Sequence, residues 1–333
     1  MTQDILDKLG MHAFRPLPGI NSGHAQTIAS FYFPYNPLID NNKKHVIQLS
    51  DGDKIVLIEN RPKQWNASKR IVLLVHGLSG SDSSKYLVRL TRVLLTHGFV
   101  VIRMNLRGCG AGIGLAKQLY HSGSSEDTRA VLAWLGQHFP HSPVTQIGFS
   151  LGANITLKMA GEGTQQNPPN LDSIVAVSPP LDLYASVKLI IKKENKLFND
   201  HFVKVLLKEI AVLYQHFPEV SKPNLPRINT LLEFDDLYTA PRAGFSSAID
   251  YYQRCSSGQF IEGITLPTFI LYAKDDPVIS RIKLLKIPPK DNFDVLITAK
   301  GGHVGWIGKT QHFLRFRWMD EIVGAWVNWF DKQ

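Results

Sequence analysis

The stretch Gly148-Phe149-Ser150-Leu151-Gly152 constrains this chain more than any other. A β-prone run, Val144-Thr145-Gln146-Ile147, precedes it, and the helix-forming run 153–160 follows. A serine with glycine two positions away on either side, between strand and helix, specifies a sharp turn that holds the serine in a strained backbone conformation. Nothing bulky fits at the flanking glycines. The hydroxyl is pushed above the sheet edge, and the Leu151 amide is left aimed at whatever oxygen the serine attacks. The pentapeptide alone recurs by chance in loops; the strand before and the helix behind give it weight.

The rest of the chain supplies the sheet that such a turn needs. Val46–Leu49 and Ile55–Ile58 around Asp51-Gly52-Asp53 read as a β-hairpin. Ile71-Val72-Leu73-Leu74-Val75 is continuously apolar, the pattern of a strand buried on both faces of a parallel sheet. Further strands are expected at 100–104, 173–177, 268–272 and 293–297, with helices at about 85–97, 124–138 and 316–330. Strands alternating with helices specify an α/β fold with a mostly parallel central sheet and flanking helices. Residues 1–40 carry Pro16, Pro18, Pro34 and Pro37 and are expected to be an irregular segment packed on the core. Between Pro180 and Pro267 no strand is expected. Residues 187–214 have helical spacing and 215–230 are Pro-rich, so 181–266 reads as a helical lid inserted into a core made of 41–180 and 267–333.

A serine nucleophile needs a base to take its proton and a carboxylate to orient that base. On a strand–turn–helix scaffold the order is Ser, then Asp or Glu, then His. Ala273-Lys274-Asp275-Asp276-Pro277 follows one late strand, and Gly301-Gly302-His303-Val304-Gly305 follows the next. His303 is therefore the expected base. Asp276, immediately before the proline, is the expected acid, with Asp275 as the alternative, because a one-residue shift in the turn exchanges their directions. The second oxyanion donor is assigned to the Leu78 amide in His76-Gly77-Leu78-Ser79-Gly80, beside that of Leu151. His76 precedes the nucleophile and reads as structural. Arg107 reads as a structural hydrogen-bonding residue, and Cys109 has no motif partner that would make it a reactive thiol. No cluster has metal-ligand spacing, and Gly108–Gly112 lacks the dinucleotide fingerprint, so neither metal nor cofactor is expected.

Composition sets the remaining bounds. The 333 residues are 44% hydrophobic and 20% charged, enough for a large core. The net charge of +9 is spread along the chain without a long basic block, so no nucleic-acid partner is expected. Two distant cysteines suit a reducing compartment, and neither a signal peptide nor a membrane-spanning run is visible, so a soluble cytoplasmic protein is expected.

These motifs, together with Phe14-Arg15-Pro16-Leu17-Pro18, Gly23-His24-Ala25-Gln26-Thr27-Ile28, Asn105–Gly110, Phe234–Pro241 and Asp250-Tyr251-Tyr252, resemble the YheT-like branch of the α/β-hydrolases over roughly residues 14–330. The resemblance implies the α/β-hydrolase fold and a carboxylesterase-type Ser150–Asp276–His303 hydrolase acting on a small acyl or lipid-like ester. A thioesterase or acyltransferase would use the same three residues, and a non-catalytic binding protein on this scaffold would be expected to have lost one of them. Some eukaryotic relatives carry a membrane anchor, which is not visible here. The lysines at 188, 192, 193, 196, 204 and 208 leave peripheral membrane contact open, against the plainer reading of a solvated helix face.

Overall fold

The computed structural model describes residues 2–35, 42–163, 170–287, 289–310 and 316–333. Its centre is an eight-stranded sheet in the order β1-β2-β4-β3-β5-β6-β7-β8. The strands are β1 (Asn42–Gln48), β2 (Lys54–Asn60), β3 (Ile71–Val75), β4 (Val100–Asn105), β5 (Val144–Phe149), β6 (Leu171–Val177), β7 (Thr268–Ala273) and β8 (Phe293–Thr298). β1 and β2 pair antiparallel, as do β2 and β4; every pairing from β4 through β8 is parallel.

The apolar run of β3 shows why the sheet is sandwiched. Its five residues are fully buried, each contributing roughly 1.5–3 kcal/mol on hydrophobic burial. Ile71, Leu73 and Val75 face a core that includes Leu132, Ile155 and Met159 of α4 (Ser125–His138) and α5 (Leu151–Glu162). Val72 and Leu74 face the other core, built with Leu87 and Leu90 of α3 (Lys85–Thr96) and Ile322 and Trp326 of α11 (Trp318–Phe330). The strand's two-residue period thus splits one apolar run between two helical layers.

Two expectations are corrected. Residues 1–40 were expected to be irregular, yet α1 (Thr2–Leu9) and α2 (Gly23–Tyr32) form there. Pro16 and Pro18 fall between these helices and Pro34 falls after the second, so none of the three interrupts a helix; Pro37 lies outside the described residues. The single helical stretch expected over 187–214 is two helices, α6 (Leu183–Ile190) and α7 (Lys196–His216). The break is held by Asn195, whose amide donates to the Leu189 and Pro277 carbonyls. α8 (Leu231–Phe234), a π-turn over Asp235–Thr239, α9 (Ala240–Arg242) and α10 (Ala248–Cys255) complete the segment between β6 and β7. No helix among the described residues is long and apolar enough to cross a membrane.

Candidate active site

Because β3, β5, β7 and β8 are parallel, the loops that leave them open on one edge of the sheet, and the residues singled out from the sequence meet there. Ser150 sits between β5 and α5 with φ 51° and ψ −120°, a region that L-residues occupy only under constraint. The two glycines allow it. A Cβ on Gly148 would lie 2.3 Å from the Gly152 carbonyl oxygen, and one on Gly152 would lie 2.4 Å from that of His76. Asn154, one turn on, is fully buried and ties the start of α5 to its surroundings: its amide donates to the Ser122 and Cys255 carbonyls and its oxygen accepts from the Ser257 amide.

His303 Nε2 lies 2.9 Å from Ser150 Oγ, and His303 Nδ1 lies 2.8 Å from Asp276 Oδ2. The direction of this chain follows from Asp276, whose other oxygen, Oδ1, accepts from the Val278 and Ile279 amides at 2.8 and 2.9 Å. A carboxylate can only accept, so the Nδ1–H donates to Asp276 Oδ2, which leaves Nε2 free to accept from the serine. Asp275 faces elsewhere. Its Oδ1 accepts from the Gly302 amide at 3.0 Å, so it braces the His303 loop without touching the imidazole.

Leu78 and Leu151 border the same pocket as Ser150, and among the described residues neither backbone amide donates to a protein acceptor. Leu151 is the first residue of α5, where the helix leaves its N–H groups unpaired and its dipole favours negative charge. His76 is fully buried. Its Nε2 accepts from the Leu106 amide and its Nδ1 donates to the Gly77 carbonyl, and burial lowers its pKa to about 4, so it remains neutral and structural. Arg107 pairs with Asp127 and Asp53 away from Ser150. Cys109 and Cys255 are free and buried, and desolvation raises both thiols, Cys255 to about 12. Among the described residues no group of three or more His, Cys, Asp or Glu is arranged to hold a metal ion.

The sequence reading gave two sets of residues no part in the site. The first is α2. A Cβ on Gly23 would overlap the Asp275 carbonyl oxygen at 1.7 Å, so only glycine lets this helix pack on the acid turn. Thr27 Oγ1 accepts from the His303 amide at 2.8 Å. Gln26, fully buried, accepts from the Ile307 amide at 2.7 Å and donates to the Ile307 and Ile20 carbonyls. The motif Gly23-His24-Ala25-Gln26-Thr27 thus clamps the loop that carries His303. The second set lines the pocket above Ser150. Val187, Phe202, Leu206 and Leu231 make its wall apolar, while Glu209, Asp235 and Arg242 interrupt it. Burial raises Asp235 to about 6 although Tyr252 and Thr239 donate to it, and burial raises Glu209 to about 7.

Comparison with known proteins identifies the fold and the family. The model of the α/β-hydrolase fold family matches residues 70–309. The chain is 31% identical to the Escherichia coli protein named "Putative esterase YheT", covering 94% of this chain and 92% of that one. It is 29% identical to the monoacylglycerol lipase of Saccharomyces cerevisiae over 72% of this chain and 55% of that protein. Among solved structures, the Pyrococcus furiosus esterase Pf2001 superposes with a TM-score of 0.56 at 18% identity, covering 96% of this chain and 98% of that one, a likeness of fold. The chain belongs to the α/β-hydrolases, as a YheT-like member of that family.

Proposed function

We propose that this protein is a serine esterase that cleaves small acyl or lipid-type esters through Ser150, His303 and Asp276. The observation that carries the reading is the hydrogen-bond chain Ser150–His303–Asp276 opening onto a largely apolar pocket. Ser150 Oγ attacks the ester carbonyl carbon while His303 Nε2 takes its proton. The carbonyl oxygen, now carrying the negative charge, is held by the Leu78 and Leu151 amides. His303 passes the proton to the departing alkoxide as the carbon–oxygen bond breaks, leaving an acyl group on Ser150. Water, deprotonated by the same imidazole, releases the acid and restores the serine. Asp276 keeps Nδ1 protonated and stabilises the imidazolium in both halves.

In this reading residues 181–266 act as the lid, since α6, α7 and α8 supply the apolar wall that would hold an acyl chain. Relatives named monoacylglycerol lipase and medium-chain fatty acid ethyl ester synthase/esterase 2 support an acyl ester as the substrate. The two free cysteines favour a reducing, cytoplasmic location.

The test is hydrolysis of p-nitrophenyl esters from acetate to laurate by the wild type and by Ser150→Ala, with fluorophosphonate labelling alongside. Loss of a nucleophile of this kind costs on the order of 10⁴-fold or more in kcat. Activity surviving in Ser150→Ala, or absence of both turnover and labelling in the wild type, refutes the proposal.

A further inference from the structure

Glu209 is an anomaly in a pocket built for hydrocarbon. It projects from α7 into the cavity that Ser150 opens onto, among Leu78, Phe202 and Leu206. Among the described residues no Lys, Arg or His nitrogen pairs with its carboxylate. Among the described residues Tyr120 Oη donates to it at 3.4 Å, long for a charged acceptor, and the Ser79 hydroxyl also favours its charged form. Desolvation raises its pKa to about 7, so burial works against the charge more than these donors favour it. An uncompensated carboxyl facing a substrate pocket costs stability, and a leucine there would complete the apolar wall. What remains is acceptor capacity directed at the substrate.

Its position says which part of a substrate it meets. Tyr120 Oη accepts from the Ser79 amide at 2.6 Å, so Glu209 stands two hydrogen bonds from the loop that carries the Leu78 amide. Leu78, Ser150 and Glu209 line one cavity, so a hydroxyl carried close to an ester group bound at that amide shares the cavity with the Glu209 carboxylate.

We infer that Glu209 is a specificity-determining residue that accepts a hydrogen bond from a free hydroxyl carried close to the scissile ester. The inference rests on the esterase reading above. The hydroxyl has two sources, a polyol on the alcohol side or a hydroxyacyl chain on the acid side. A buried acceptor that is built to receive a hydroxyl discriminates against the analogue lacking it, because the acceptor is then left desolvated and unpaired. Tyr120 holds the carboxylate in place from the other side.

The experiment compares kcat/KM for glycerol 1-monodecanoate, methyl 3-hydroxydecanoate and methyl decanoate in the wild type, Glu209→Leu and Glu209→Gln. The expected result is a wild-type preference of about tenfold or more for one hydroxylated ester over methyl decanoate, expressed mainly in KM. Which hydroxylated ester wins identifies the source. Glu209→Leu abolishes the preference, and Glu209→Gln, nearly isosteric and still an acceptor, retains part of it. The near-isosteric variant keeps the comparison usable where the leucine variant misfolds. Wild-type enzyme without the preference, or a preference that persists undiminished in both variants, overturns the inference while leaving the esterase reading standing. Failure to cleave any of the three esters, with Ser150 unlabelled by fluorophosphonate, removes the esterase reading and this inference with it.

Discussion

Replacing Asp276 by asparagine reverses the tautomer of His303 while changing almost no volume. In the native site Asp276 Oδ1 accepts two backbone N–H groups, from Val278 and Ile279, and Oδ2 receives Nδ1 of His303. An asparagine has one oxygen. Turning it toward His303 would set its NH₂ against two amide donors, stranding both at about 1–3 kcal/mol each. The oxygen therefore faces the amides and the NH₂ faces His303. Nδ1 must then accept, the imidazole proton moves to Nε2, and Nε2 points that proton at Ser150 Oγ, 2.9 Å away, where it cannot act as a base. Reaching the productive tautomer means giving up the Asn–His hydrogen bond, opposing two donors, and forming an imidazolium without its carboxylate. Together these cost roughly 4–5 kcal/mol, or about 10³–10⁴-fold in kcat/KM. Hydrolysis of a p-nitrophenyl ester measures the loss, and a melting curve shows whether the fold is intact. Asp275→Asn is the internal control. Its oxygen can still accept from the Gly302 amide, so it should stay within about tenfold of wild type. Asp276→Asn retaining more than a tenth of wild-type activity, or Asp275→Asn falling equally far, would refute the reasoning.

Two other perturbations follow from the structure. Gln26→Leu removes three hydrogen bonds and leaves the buried Ile307 amide without its acceptor, while the Ile307 carbonyl keeps the Leu17 amide at 3.2 Å. A loss of about 2–4 kcal/mol in thermal unfolding, with slower fluorophosphonate labelling of Ser150, is expected; a variant that matches wild type in both contradicts the clamp. Two buried histidines and two buried carboxyls should largely offset each other in stability between pH 6 and 4.5. Burial lowers His76 and His121 to about 4, so the stability they give is lost as pH falls below 6.5, whereas Glu209 and Asp235, raised to about 7 and 6, bind protons in the native state first and oppose that loss. Glu209→Gln combined with Asp235→Asn exposes the histidine slope, about 3 kcal/mol per pH unit for two protons. Urea titrations showing no added acid sensitivity in that variant would contradict the assignment.

The part of the site that follows chain order was legible in the sequence. Ser150, Asp276 and His303 each come directly after a strand whose apolar run marks it, and parallel strands carry all three to one edge. Choosing between Asp275 and Asp276 took coordinates, because one residue in a tight turn exchanges the two directions. The contribution of α2 was hidden for a different reason. Gln26 finds its partner 281 residues away, and such a contact imposes no period on the residues around it. Glu209 was missed because at i±3 and i±4 spacing it reads as one more polar position on an amphipathic helix; only the folded pocket shows that it faces inward. The proline-rich start misled because helix breakers mark boundaries as readily as they mark loops.

The clasp between Gln26 and Ile307 also sets a timetable. The central strands β3 to β5 pair among themselves and can assemble while the chain is still being made, but the loop bearing His303 gains the Gln26 clasp only once Ile307 has been synthesised. Assembly of the core therefore precedes acquisition of chemistry. In the esterase reading, a nascent chain that ends before this loop carries Ser150 without the His303 imidazole that would activate it.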